Sequence, residues 1–126
     1  MTILNKNKLY FLFLICLSLI SCKTKLNIIG TWENIDRKLV FDGYDNFIIE
    51  YKNSNQIQAF RGSYYQKNNI IVLIFDEYKT IDNSWISTDT TSLAGYKESL
   101  EVSITDDELY TKIVSTGKHY SYTRVK

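Results

Sequence analysis

Proline is absent from the 126 residues, histidine occurs once, and cysteine twice. Without proline there is no polyproline linker and nothing to confine a strand to a sheet edge. A single histidine, His119, excludes a metal site built on several imidazoles. It also leaves any Ser-His-Asp arrangement resting on one residue whose alternation partners, Ser121 and Thr123, are plain strand positions. No Gly-x-Ser-x-Gly elbow is present. An excess of either charge is lacking too, with 15 Lys and Arg against 14 Asp and Glu. The chain is therefore neither a polycation for nucleic acid nor a polyanion. No window of twelve residues sustains a helical period. The longest apolar run falls short of the ~20 residues that a spanning helix needs.

That run is the most informative stretch. Lys6 and Lys8 form a basic region ahead of an apolar segment from Leu9 to Ile20, the order of an export signal. Its ending, Leu19-Ile20-Ser21-Cys22, resembles the lipobox of bacterial lipoproteins. The resemblance implies a diacylglyceryl thioether on Cys22, cleavage after Ser21, and acylation of the new N-terminus, palmitate being a typical chain. Residues 1–21 are then a removed signal, 22–27 a lipidated tether, and 28–126 a single domain. The expected partner of Cys22 is a lipid bilayer. Acidic residues do not follow the cysteine, which favours a periplasm-facing anchor in the outer membrane of the cell envelope. With Cys16 removed and Cys22 acylated, no thiol remains for a disulfide or for catalysis.

After the tether the pattern turns to period two. Expected strands are Ile28 to Ile35, Lys38 to Phe41, Asn46 to Lys52, Gln56 to Gln66 and Ile70 to Phe75. Asp42-Gly43-Tyr44-Asp45 reads as a hairpin loop. The run Ile70 to Phe75 is apolar on both faces and predicts the best-buried strand, covered on its outer side as well. Residues 76–93 are less regular, with a strand expected at Trp85 and Ile86 and a loop at Thr88 to Ser92. From Ala94 to Ile104 one face is apolar, interrupted by a turn or bulge at Lys97-Glu98. A tight turn at Thr105 to Glu108 and a hairpin around Thr116-Gly117 complete the chain. The fold class is all-β: an antiparallel up-and-down meander of eight or nine strands whose closure into a barrel removes its edges.

Three features resemble the lipocalin-like proteins. Gly30-Thr31-Trp32 matches the G-x-W signature of the first barrel strand, and Thr105-Asp106-Asp107 keeps two residues of the T-D-Y motif. Arg124 stands where that family packs an arginine over the first-strand tryptophan. The resemblance implies a small lipocalin-like barrel with Gly30, Trp32 and Arg124 as structural residues and a small hydrophobic or amphipathic ligand.

For chemistry, aromatics are the abundant resource: nine Tyr, four Phe and two Trp follow Cys22. They either fill the core or line a cavity with tyrosine hydroxyls as polar contacts. Arg61, Tyr64 and Tyr96 are the candidate ligand residues. Arg61 alternates with Ile57 and Ala59, which turns it inward toward a ligand carboxylate or phosphate. A bulge at Gly62 turns it outward. Asp106, Asp107 and Glu108 lack the alternating spacing of a calcium loop. No catalytic or metal-ligating residues and no cofactor are expected, so the protein is read as non-enzymatic. Two readings follow: a tethered carrier of a small ligand, or an envelope protein that binds another protein, of inhibitor or immunity type, with a solid barrel. Cavity volume separates them.

Overall fold

The computed structural model describes residues 26–126; the expected export signal and Cys22 lie outside the described residues. The chain forms β1 (Gly30–Glu33), β2 (Arg37–Phe41), β3 (Asn46–Tyr51), β4 (Ile57–Lys67), β5 (Ile70–Thr80), β6 (Trp85–Ser87), β7 (Lys97–Thr105), β8 (Glu108–Ile113) and β9 (His119–Arg124). Every pairing is antiparallel. The expected up-and-down barrel is closed: eight strands run β1-β2-β3-β4-β5-β7-β8-β9 and return to β1, with β6 as an extra strand.

Alternation assigns the inner face. Leu39 and Phe41, Phe47 and Ile49, Ile71, Leu73 and Phe75, Leu100 and Val102, Leu109 and Tyr122 all join one buried cluster around Trp32. Edge-to-face rings knit its middle, with Phe41 on Tyr64 at 5.0 Å and Phe47 on Phe75 at 5.3 Å. That geometry suits the ring quadrupoles and adds about 0.5–1.5 kcal/mol per pair beyond burial.

The two ends of the barrel differ. At the closed end the segment before β1 crosses the opening, and Ile28 is buried in the core. The Trp32 indole N–H donates to the Ile28 carbonyl at 2.9 Å. Arg124 lies with its guanidinium 4.1 Å from the Trp32 ring centre. It donates to the carbonyls of Ile29 at 3.0 Å and Asn27 at 3.3 Å. Gly30 has φ +134, and a Cβ there would stand 2.9 Å from Arg124 Nη1. Glycine is thus required twice over, by the backbone angle and by the arginine. Asp107, which departs from the T-D-Y motif, accepts the Arg124 backbone N–H at 2.7 Å. Its carboxylate lies 3.9 Å from Arg124 Nε and 3.0 Å from Lys126 Nζ.

Several boundaries differ from expectation. β1 is shorter, because residues 26–29 leave the sheet to cap the barrel. β5 is longer and runs on to Thr80. Its outward residues Ile70, Val72 and Ile74 are half-buried, so its outer side is only partly covered. Opposite Arg61 and Gly62 the register jumps from Glu77 to Phe75, which makes Asp76 a bulge on β5. Below the bulge β5 pairs with β7; above it, Glu77 to Lys79 pair with β6. Thr88 is buried where the partners change, and its hydroxyl donates to the carbonyls of Phe75 and Asp76 at 2.8 and 3.0 Å. Ala94 and Tyr96 precede β7 instead of belonging to it, and Lys97-Glu98 are its first residues, not a turn. Gly62 faces the bulge: a Cβ there would stand 1.8 Å from the Ile74 carbonyl oxygen.

Two substitutions test this architecture. Trp32→Ala is expected to cost ~3–5 kcal/mol in urea unfolding, as a large truncation in the core. Arg124→Lys is expected to cost about 1–2 kcal/mol through loss of the stacked guanidinium. The double variant should lose less than the sum, because both changes break one contact. Additive losses would mean that the stack contributes nothing. Gly62→Ala should cost about 3 kcal/mol, at the upper end for overpacking, since its obstacle is backbone and cannot rotate away.

Candidate functional site

At the end opposite the Trp32 cap, the inner face of the barrel becomes polar. Arg37 opens β2, and its alternation with Leu39 and Phe41 turns it inward. Tyr51 at the end of β3, Tyr120 and Tyr122 on β9, Thr111 on β8 and Glu98 on β7 converge on the same mouth. The Arg37 guanidinium stacks 4.1 Å from the Tyr120 ring centre and 5.3 Å from that of Tyr51. Its Nη2 donates to Tyr120 Oη at 3.2 Å. Beneath lies a cavity of about 50 Å³ floored by Leu39, Ile49, Leu73 and Leu100.

Electrostatics there follow from partial burial. Loss of water draws the Arg37 pKa down, but attraction from Tyr122, Tyr51 and Tyr120 outweighs it and leaves the value above the ordinary one. Burial raises Tyr51, against the pull of Arg37 and with help from Glu98. Tyr122 is raised by burial as well, again with Arg37 opposing. The mouth therefore joins a permanent cation to neutral hydroxyls, with one carboxylate on the opposite wall.

Beside the mouth, the bulge carries β4 and β5 past the start of β7, and a partly buried aromatic wall stands there. Phe60 stands edge-on to Phe75 at 5.1 Å and to Tyr51 at 6.1 Å. Tyr78 lies 6.4 Å from Phe60, and Tyr96 lies 5.2 Å from Phe75.

The three expected ligand residues are not brought together. Arg61 faces outward, a correction to its inward alternation: Phe60, Gly62 and Tyr64 take the inner face of β4. The bulge that sets the local register sits on β5, opposite Gly62. Arg61 lies 4.0 Å from the Trp85 ring centre and forms a 3.0 Å ion pair with Glu77. Tyr64 is buried toward the closed end, where its hydroxyl donates to the Asp42 carbonyl at 3.2 Å. Tyr96 is at the rim, 44% exposed, and its hydroxyl donates to Glu98 Oε2 at 3.1 Å. Two further hollows are larger: about 240 Å³ beside Arg61, and about 510 Å³ at the closed end, where the core residues Ile28 and Tyr64 line it together with Leu26 and Tyr65. His119 is exposed at the start of β9. Among the described residues no cluster of His, Cys, Asp and Glu has the makings of a metal site.

Arg37 is the residue that sequence reasoning missed. Starting the second strand at Lys38 cut it off by one position, although its spacing from Leu39 and Phe41 is the signal that places it inside. No protein-family model matches the chain, and no curated protein matches it either.

The buried tyrosines make alkaline pH a probe of the site. Tyr51 and Tyr122 hold their protons more tightly when folded than the ordinary value of 10. Their contribution is complete below pH 10 and is lost as pH climbs through the higher folded values. Absorbance at 295 nm should show a late-titrating group of tyrosines that merges with the rest on unfolding, and stability should fall above pH 10. A single transition in the folded protein would mean that the mouth is fully hydrated.

Proposed function

We propose that the protein is a lipid-anchored envelope protein whose solid barrel is a recognition module, working through its open mouth and not through an internal ligand chamber. The observation that carries this is the hollow beneath the mouth: it holds about 50 Å³, set among packed aromatic and aliphatic side chains. A chamber for a small hydrophobic molecule needs roughly 300–1,000 Å³. Eight-stranded barrels admit either a filled interior or one small ligand, and so small a hollow beneath the mouth favours the filled kind.

The direction of the chain supports the same reading. Residues 26–29 enter at the closed end, so an anchor at Cys22 would leave that end beside the bilayer. Leu26 is four chain steps from Cys22, a reach of about 14 Å at most. The mouth, with Arg37, the tyrosine cluster and the aromatic wall, then points away from the membrane. Half-exposed aromatics and a partly desolvated arginine are the residue types that dominate protein recognition. The Gly30, Trp32 and Arg124 set and the small barrel support the lipocalin-like resemblance as a scaffold.

One preparation tests both halves. The protein is isolated from its own host in detergent, beside Cys22→Ser. The wild type should remain in the membrane fraction and carry fatty acyl mass, and the substituted chain should do neither. Native mass spectrometry of the wild type should show no retained small molecule. A hydrophobic molecule held in stoichiometric amount would overturn the recognition reading in favour of a carrier, and membrane retention without Cys22 would overturn the anchor.

A further inference from the structure

We propose that the mouth of the barrel is a seat for one carboxylate group, held by the edge of the Arg37 guanidinium and by the hydroxyls around it. The proposal rests on the mouth being the recognition surface and specifies what that surface recognises.

The chain has three arginines. Arg61 is paired with Glu77 and Arg124 with Asp107. Among the described residues Arg37 is in no ion pair, although it is half-buried and lines a partly open hollow. A partly desolvated cation without a counter-ion is the incomplete half of an interaction. The Tyr120 and Tyr51 rings lie 4.1 and 5.3 Å from its centre and Nη2 already donates to Tyr120 Oη, which leaves the Nε–H side of the planar edge to bind. That edge matches a carboxylate in bidentate fashion.

Size and charge narrow the class. A hollow of about 50 Å³ takes a few waters, at roughly 10–15 Å³ each, and so fits a carboxylate head without a bulky body. Glu98 lines the same hollow, and its charge opposes a second negative charge close by. A monoanion therefore suits the seat and a phosphate dianion does not. Thr111, Tyr51 and Tyr122 supply neutral hydroxyl donors, and the leucine and isoleucine floor excludes water from below. The Tyr96 bond to Glu98 holds that carboxylate toward the aromatic wall. A carboxylate of this kind comes either from a small free acid or from a partner protein, as a side chain or a chain terminus.

The test is a titration of the intact protein in detergent micelles, followed at the Arg37 Nε–H by proton–nitrogen NMR at constant ionic strength. Sodium acetate should give a saturable shift that sodium chloride and inorganic phosphate do not give. Arg37→Lys keeps the charge and loses the fork, and should weaken acetate at least about tenfold. Glu98→Gln should tighten it by removing the opposing charge. A second arm uses a short blocked peptide ending in a free carboxylate, beside its amide. Tighter binding of the acid than of acetate, with none by the amide, assigns the carboxylate to a protein partner; equal or weaker binding assigns it to a free acid. No saturable shift with either probe, or the same shift in Arg37→Lys, overturns the seat. The mass-spectrometric result on a retained molecule is independent of this outcome.

Discussion

The structure depends on a single stacked arginine. The β1–β9 seam that closes the barrel is short, with Trp32 opposite Arg124 and Glu33 opposite Thr123, extended by the Val125 N–H to the Thr31 carbonyl. Arg124 adds to the seam in three ways: it covers the face of the Trp32 indole, it satisfies the carbonyls of Asn27 and Ile29, and it holds Asp107 nearby. Indole is the best aromatic face for a cation. A planar cation can stack and donate hydrogen bonds at once, which an ammonium cannot. Gly30 belongs to the same device, since a side chain there would collide with the arginine. Two residues of β1 and one from the far end of the chain thus form one closure, and the φ of +134 at Gly30 is what favours glycine there.

A second constraint shapes the opposite end. β7 begins at Lys97 and pairs with β5 only as far as Ile74. Beyond it the β4–β5 ribbon needs another partner, and β6 supplies one for three residues. The handover frees backbone carbonyls at Phe75 and Asp76, which the buried Thr88 hydroxyl satisfies. Unpaired polar groups in such a place would each cost about 1–3 kcal/mol. The bulge at Asp76 allows the change of partner, and the ribbon it releases carries Phe60 and Tyr78 above the mouth.

The interior between these ends is filled by alternation alone, and the filling has a functional consequence. With large rings from β2, β3, β4, β5 and β9 directed inward, the hollow left beneath Arg37 is small, about 50 Å³. At the mouth the inner face turns polar, with Arg37, Thr111 and the tyrosines Tyr51, Tyr120 and Tyr122 lining the small hollow there.

Much of the fold was legible in the sequence because strand alternation is local: Phe47-Ile48-Ile49-Glu50-Tyr51 shows its inner face without reference to any other strand. The turns at Asp42-Gly43 and Thr116-Gly117 were legible from local residue identity, whereas the Gly30, Trp32 and Arg124 set was expected only from the lipocalin-like resemblance. The orientation of Arg61, the position of Arg37 and the free volume were not legible. Arg61 alternates with Ala59 as an inner residue would, yet which face is inner was decided by Phe60, Gly62 and Tyr64 packing against strands on both sides. Arg37 needed a strand boundary correct to one residue, and that boundary was set by its pairing with Tyr51 on β3. The cavity is a difference between the space that eight strands enclose and the side chains they contribute. No single stretch of chain contains that difference, so only the tertiary structure determined it.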